Sequence, residues 1–478
     1  MDATTGTGPL HGVDDIDWAA LAPEDGADIP GLLRGIAGDA SAPRGLDDSV
    51  SALFDLIRFP APAYAAAPRV AEYLLRIACH PDTPADWRAR PLSLLLELLV
   101  PTAAATLPAR TDIALWRDEV AWAAATDAEK VRDQYRAWLE EAPDEQQYRR
   151  MLSRLDTASR ENGAALLQAE LDVYDTVRDH AGDLAGLLDG RENRRGIDPP
   201  AEWASYLLAF VPDTAETALP PLKASLAEAA PALPGQAPPP LGTPQHDVLS
   251  AELFAIGMLA APDDAGATVA LAHEMASGHL YNGFAAAMAL TVIHGEKTPE
   301  ECLVRLRAAG RTSVGYPALF DDSWPHCGEN TPATLGFLAL GRAGERARPL
   351  RLAMLPKVLA SAEGTARAAV AATALESVLG PRSAAEAPDP EADFDDDTLK
   401  VFWAIAELPA DGWDDGLPDA LAAWGLPTGR ADFRAFAGVE DDAGDEPPAD
   451  GAPAQAPAGA AQQRPQGGLF SRLFGPGS

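Results

Sequence analysis

The stretch LDDSVSALFDLIRFPAPAYAAAPRVAEYLLRIACHPDTPADWRARPLSLLLELLV, residues 46–100, decides the fold. It carries three apolar stripes separated by short breaks. Leu46, Val50, Leu53, Phe54 and Ile57 share one helical face. Val70, Tyr73, Leu74, Ile77 and Ala78 recur at the three-and-four spacing of a buried helix stripe. Leu92, Leu95, Leu96 and Leu99 form a third stripe, which Leu94 and Leu98 widen into an arc that needs cover on two sides. Phe59-Pro60-Ala61-Pro62 and His80-Pro81-Asp82-Thr83-Pro84 cannot continue a helix, because proline lacks the N–H and restricts the residue before it. The segment reads as short helices packed in series.

Composition extends that reading to the whole chain. At 478 residues and 47% hydrophobic content it can bury ample core. Only 6% of residues are aromatic and no Asn-Gly or Asp-Gly hairpin signal stands between alternating runs, so strands are not expected and the fold class is all-α. Acids outnumber bases 72 to 37, a formal charge of −35. The last 40 residues hold six acids and two arginines, so most of the acidity belongs to the body. Such a surface repels phosphate backbones and anionic headgroups, which argues against nucleic-acid or stable membrane association and favours a protein partner with a basic surface. Three scattered cysteines make no disulfide framework. The N-terminal residues lack a signal-peptide pattern and no apolar run approaches bilayer length, so a cytoplasmic protein is expected.

The grammar of residues 46–100 recurs along the chain. Asp28-Ile29-Pro30 predicts an N-cap followed by first-turn proline, with Ile29, Leu32, Leu33 and Ile36 as the stripe and Gly38 as the stop. Similar proline starts are read at Ala67-Pro68, Leu219-Pro220-Pro221, Leu355-Pro356 and Leu417-Pro418. Two alanine-rich phrases, Phe284–Gly295 and Ala366–Gly380, predict helices that approach neighbours closely and end on glycine. The implied organisation is a leader at 1–12, a helical array at 13–228, a Pro-rich connector at 229–245, a second array at 246–436 and a tail at 437–478. Residues 144–190 break the rhythm and read as longer, more charged helices projecting from the array.

DIPGLLRGIAG, YAAAPRVAEYLLRIACHP, EWASYLLAFVPDTAETALPPLKASL, NTPATLGFLALGRAGERA, GTARAAVAATALESVLG and WDDGLPDALAAWGLP, in that order, resemble HEAT-repeat proteins of bacteria over most of residues 13–436. The resemblance implies a HEAT-like α-α superhelix, a solenoid of stacked antiparallel helix pairs that usually serves as a protein-binding scaffold.

Catalytic motifs are not evident. His273 and His279 stand six residues apart, not the four that face one metal on a helix, and Cys302, His326 and Cys327 have no metal-ligand spacing. Gly295-Glu296-Lys297-Thr298 lacks the phosphate-loop frame. Asp393-Phe394-Asp395-Asp396-Asp397 fits no calcium loop and reads as the N-terminal cap of the following helix. No catalytic residue, cofactor or metal is expected. The loop 310–330, with Tyr316, Phe320, Asp321, Asp322, Trp324 and His326, is the alternative place for an enzymatic or small-ligand site in the concave groove.

The tail, expected to be disordered, ends in a different signal. Leu469, Phe470, Leu473 and Phe474 would share one face of a short helix, with Arg472 opposite. Six residues cannot hold a helix alone in water, so the expectation is a docking peptide. The functional expectation is a non-catalytic scaffold or adaptor carrying that peptide as a second contact point.

Overall fold

At His80-Pro81-Asp82-Thr83-Pro84 the chain turns between two helices, whereas Pro91 is accommodated inside a helix. The computed structural model describes residues 8–22, 26–57, 62–100, 107, 110–189, 199–228, 249–276, 280–309, 331–382, 388, 393–413 and 416–439. The three stripes become the helices Leu46–Ile57, Ala67–Cys79 and Ala85–Leu99. Val50, Leu53, Val70, Leu74 and Ile77 are fully buried, and so are Leu92, Leu94, Leu95, Leu96 and Leu98. The wide arc of Ala85–Leu99 is covered as expected, by the helices Ala67–Cys79 and Pro199–Ala209 and by contacts with Leu46–Ile57 and Gly163–Asp179. Tyr64 adds a hydroxyl donated to the Leu98 carbonyl at 2.9 Å.

Among the described residues there are 22 α-helices and no strand. The helices that are buried nearly all round form a row in which each touches the next: Ala85–Leu99, Pro199–Ala209, Ser250–Leu259, Leu280–His294, Pro332–Arg342 and Gly364–Leu379. Outer helices lie against this row, among them Ala67–Cys79, Ala181–Asp189, Ala215–Glu228, Ala265–Ala276, Glu300–Ala309 and Arg348–Ser361. Small residues set the spacing of the row. A Cβ placed on Gly257 would sit 2.8 Å from Ala289 Cα, so Ser250–Leu259 and Leu280–His294 meet backbone to backbone. Gly380 takes φ 84° and ends the alanine-rich helix as its position predicted. One continuous apolar core runs from Val13 to Ala437, and helices on either side of residues 229–248 pack directly on each other.

Three sequence expectations need correction. Pro220 and Pro221 lie inside Ala215–Glu228, and Pro356 lies inside Arg348–Ser361; neither pair starts a helix. Each such proline deletes one i to i−4 bond, and outer helices accept the loss because the carbonyl it frees can face solvent. Asp28 does stand at the N-cap of Ile29–Ile36 with Pro30 in the first turn, although its carboxylate makes no cap bond. The 17-residue helix Gly163–Asp179 does not project: Leu166, Leu167, Leu171, Val173, Tyr174 and Val177 are buried and it packs on Ala67–Cys79.

A second, smaller core sits under the charged segment, with Ala123, Val131, Tyr135, Met151, Ala158 and Leu167. Between the two cores lies an ionic cluster. Arg154, only 7% exposed, pairs with Glu170 and lies 3.5 Å from Glu119. Arg150 reaches the second Glu119 oxygen at 2.9 Å, and Tyr135 donates to the first at 3.0 Å. The Arg154 guanidinium also lies 5.2 Å from the centre of the Trp116 ring. Burial opposes charge on Arg154, but Glu170, Glu119 and Tyr135 together outweigh it and hold its pKa above the ordinary value. Arg154→Met should therefore cost about 3–5 kcal/mol, because Glu170 stays largely buried without its cation and Glu119 is left with Arg150 alone. Urea unfolding of Arg154→Met, and its partial recovery when Glu119→Gln and Glu170→Gln are added, checks this.

Glu97, on the crowded helix Ala85–Leu99, has its carboxyl pushed up to about 7 by burial, from an ordinary 4.5. The folded chain thus holds a proton that the unfolded chain has released. That contribution is fully present below about pH 4.5 and is lost as the pH rises through about 7. Glu97→Gln should raise stability at pH 8 by up to about 3 kcal/mol, with the difference vanishing near pH 4. Denaturant titrations at the two pH values read it directly.

Candidate functional site

Helix ends expose carbonyls, and the row of buried helices gathers several of them in one place. Leu280–His294, Pro332–Arg342 and Gly364–Leu379 bring their C-terminal turns to a cleft of about 520 Å³. Its opposite wall comes from Leu107, Asp144 and Gln146. Exposed carbonyls at helix C-termini carry partial negative charge and attract cations. Arginines answer that demand. Arg351 donates through Nη1 to the carbonyls of Leu340 at 2.9 Å, Gly344 at 3.2 Å and Gly341 at 3.3 Å, closing the end of Pro332–Arg342. Arg342 reaches across the cleft to the Leu107 carbonyl at 3.1 Å and to Gln146 Oε1 at 3.2 Å. Burial pushes both guanidinium pKa values down.

Neighbouring contacts fasten the same wall. Arg110 donates to the Ala260 carbonyl and, at 3.3 Å, to that of Gly257, at the end of Ser250–Leu259. The Arg382 N–H meets the Pro143 carbonyl at 3.3 Å, and its guanidinium lies 3.5 Å from the centre of the Tyr148 ring. Glu376 faces this cleft with its pKa raised, first by burial and then by Asp144, against the opposing pull of Arg351. The cleft is mixed in character, with Leu107, Val292 and Leu338 beside its polar groups, and its two lining arginines are engaged with backbone carbonyls. Among the described residues no group of three His, Cys, Asp or Glu side chains could hold a metal ion. Cys302 is buried and its thiol is pushed up to about 12, chiefly by burial.

A second hollow, about 490 Å³, is apolar and lies between Arg348–Ser361 and Asp396–Ala406. Ala353, Pro356 and Ala360 form one side, and Trp403, Ala404 and Leu408 the other, with Lys400 and Glu407 at the rim. Phe402 and Trp403 are consecutive, so on a helix they point about 100° apart. Phe402 is fully buried and Trp403 is 48% exposed. The indole is fixed, because its N–H donates to the Ala437 carbonyl at 3.1 Å. Asp395 caps this helix through its carboxylate, accepting from Thr398 N–H at 2.7 Å, as the aspartate run predicted.

The residues singled out from the sequence are not among those brought together here. Tyr316, Phe320, Asp321, Asp322, Trp324 and His326, and likewise Leu469, Phe470, Arg472, Leu473 and Phe474, lie outside the described residues. Sequence reasoning missed Arg342, Arg351 and Glu376, since Gln146 and Arg342 are 196 positions apart and no spacing links them. The adjacent pair Phe402-Trp403, the signal in the chain that could have pointed to the groove, was not singled out from the sequence.

No family model matches the chain, and no curated protein does. A solved structure described as that of an engineered protein, from the Northeast Structural Genomics Consortium, aligns over 77% of this chain and 97% of its own. It is 14% identical with a TM-score of 0.27, which is too low to support any argument about this chain.

Because Arg342 is the bridge across the cleft, Arg342→Ala should lower stability by about 2–3 kcal/mol, and Gln146→Ala by about 1 kcal/mol. In urea unfolding the double variant should fall short of the sum of the two, since they share one bond.

Proposed function

We propose that the chain is a non-catalytic protein-interaction scaffold, built as a HEAT-like α-solenoid of stacked helix pairs, with Leu469–Phe474 as a docking peptide. The observation that carries this reading is the row of buried helices, each packed on the next and backed by outer helices. Units that bury their faces only by stacking are the basis of solenoid architecture. The apolar groove beside Trp403 supports a role in binding peptides, because helix-in-groove recognition uses surfaces of this kind. No described helix is long and apolar enough to cross a membrane, and we place the scaffold in the cytoplasm, where Cys79 and Cys302 stay reduced. Its partner is a protein with a basic surface, matched to the −35 charge.

A second reading, a small-ligand site, draws support from the cleft that holds Glu376 and Asp144. The scaffold reading is stronger, because the arginines lining that cleft are already committed to carbonyls.

The test is affinity capture with the full chain and with a full chain carrying Leu469→Ser, Phe470→Ser, Leu473→Ser and Phe474→Ser. Loss of one or more partners, with unchanged helicity, is the expected result. Identical partner sets would remove the docking peptide from the proposal.

A further inference from the structure

We infer that the groove between Arg348–Ser361 and Asp396–Ala406 is the intramolecular docking site of the chain's own Leu469–Phe474. This rests on the reading of that peptide as a docking element and names the surface it occupies.

Four observations converge on this occupant. The first is position. The helix Arg430–Phe436 ends at Ala437, whose carbonyl accepts the Trp403 indole N–H at 3.1 Å. The chain therefore leaves its last described helix at the edge of the groove. Twenty-nine residues, 440–468, separate that edge from Leu469. They span at most about 100 Å when fully extended, so reach is no obstacle. Tethering also makes the encounter intramolecular, which lets a weak contact be occupied without a second molecule.

The second is size. Leu352, Ala353, Pro356 and Ala360 follow one face of their helix over about 12 Å, and a helical Leu469–Phe474 is about 9 Å long. The third is chemistry. Leu469, Phe470, Leu473 and Phe474 offer the apolar anchors that a groove of Ala353, Pro356, Ala360 and Trp403 would cover. Arg472, off the apolar face, has a long side chain that can reach Glu407 at the rim, while Lys400 beside it is paired with Asp397. The fourth is the backbone. Pro356 has no N–H, so the carbonyl of Leu352, a residue of the groove wall, lacks its i+4 donor. The other large exposed apolar side chains, Leu115, Leu152, Val269 and Val304, line neither of the two hollows.

The experiment uses the purified full chain with p-benzoylphenylalanine incorporated at position 470 in place of Phe470, which keeps an aromatic anchor and leaves the groove untouched. After irradiation, cross-linked peptides are mapped by mass spectrometry across a range of protein concentrations. The expected result is an adduct within residues 352–360 or 400–408, in monomeric protein, with a yield independent of concentration. Ala353→Arg, a change at an exposed helix position that fills the groove and opposes Arg472, should cut that yield about tenfold without altering the thermal unfolding curve. Adducts elsewhere in the chain, no adduct, or an Ala353→Arg yield equal to that of the parent would overturn the inference. Adducts confined to cross-linked dimers would assign the groove to a second copy and overturn the intramolecular assignment. Because the cross-link reports where the peptide rests and affinity capture reports what it recruits, either result can fail while the other stands.

Discussion

A helix that is apolar on nearly every face cannot remain at a surface, and this constraint organises the molecule. Ala85–Leu99 needs cover on more than one side, and so do Ser250–Leu259 and Leu280–His294, whose described positions are almost entirely buried. Lining such helices side by side satisfies two flanks of each at once. The remaining flanks are closed by amphipathic helices on the outside and, over part of the row, by the segment around Leu107–Gln146. Spacing within the row depends on the absence of side chain at the contacts. Gly257 against Ala289 brings two backbones together, and a larger residue there would have to push the helices apart against a close-packed interior.

The same arrangement creates an electrostatic problem at one end of the row and shows how it is met. Neighbouring helix C-termini pool their carbonyl dipoles, and arginine is the side chain suited to bridge several such acceptors with a fixed fork of donors. Arg351 closes Pro332–Arg342, and Arg110 binds the end of Ser250–Leu259. Farther along, Arg434 and Arg430 bond the carbonyls of Ala406 and Leu408 at 3.0 and 3.1 Å, closing Asp396–Ala406 in the same way. Capping by an arginine from another element ties successive helices together as well as satisfying their ends. Arg342 extends the device across the cleft to Leu107 and Gln146.

Much of this was legible in the linear chain, for identifiable reasons. Periodicity located the buried faces of Leu46–Ile57 and Ala67–Cys79, because the burial of a single helix stripe depends on local spacing alone. Glycine after an alanine run marked the stop at Gly380 for the same reason. Proline was over-read: Pro356 and Pro220 look like starts in sequence, yet an exposed outer helix tolerates one missing bond. The helix Gly163–Asp179 looked exposed because its charges are frequent, but Glu170 is paired with the buried Arg154. That ionic cluster and the Arg342 bridge were out of reach, since their partners come from separate helices at spacings that no motif encodes. The groove was half legible. Two adjacent aromatics on a helix cannot both be buried on one narrow face, but which surface completes the hollow depends on the packing of Arg348–Ser361.

The arginines committed to helix ends determine which cations a partner can reach. Counting residues gives 72 acids against 37 bases, yet Arg110, Arg342, Arg351, Arg430 and Arg434 are turned onto backbone carbonyls, and Arg154 is buried between glutamates. Cations held in this way keep their charge but are not offered to a partner as free donors, whereas the carboxylate of Asp82 remains exposed. The outward potential follows the net charge of −35 and is negative. An apolar groove set in such a field selects against acidic peptides and favours a ligand that combines apolar anchors with a cation. Leu469–Phe474, four large apolar side chains and Arg472, has that composition.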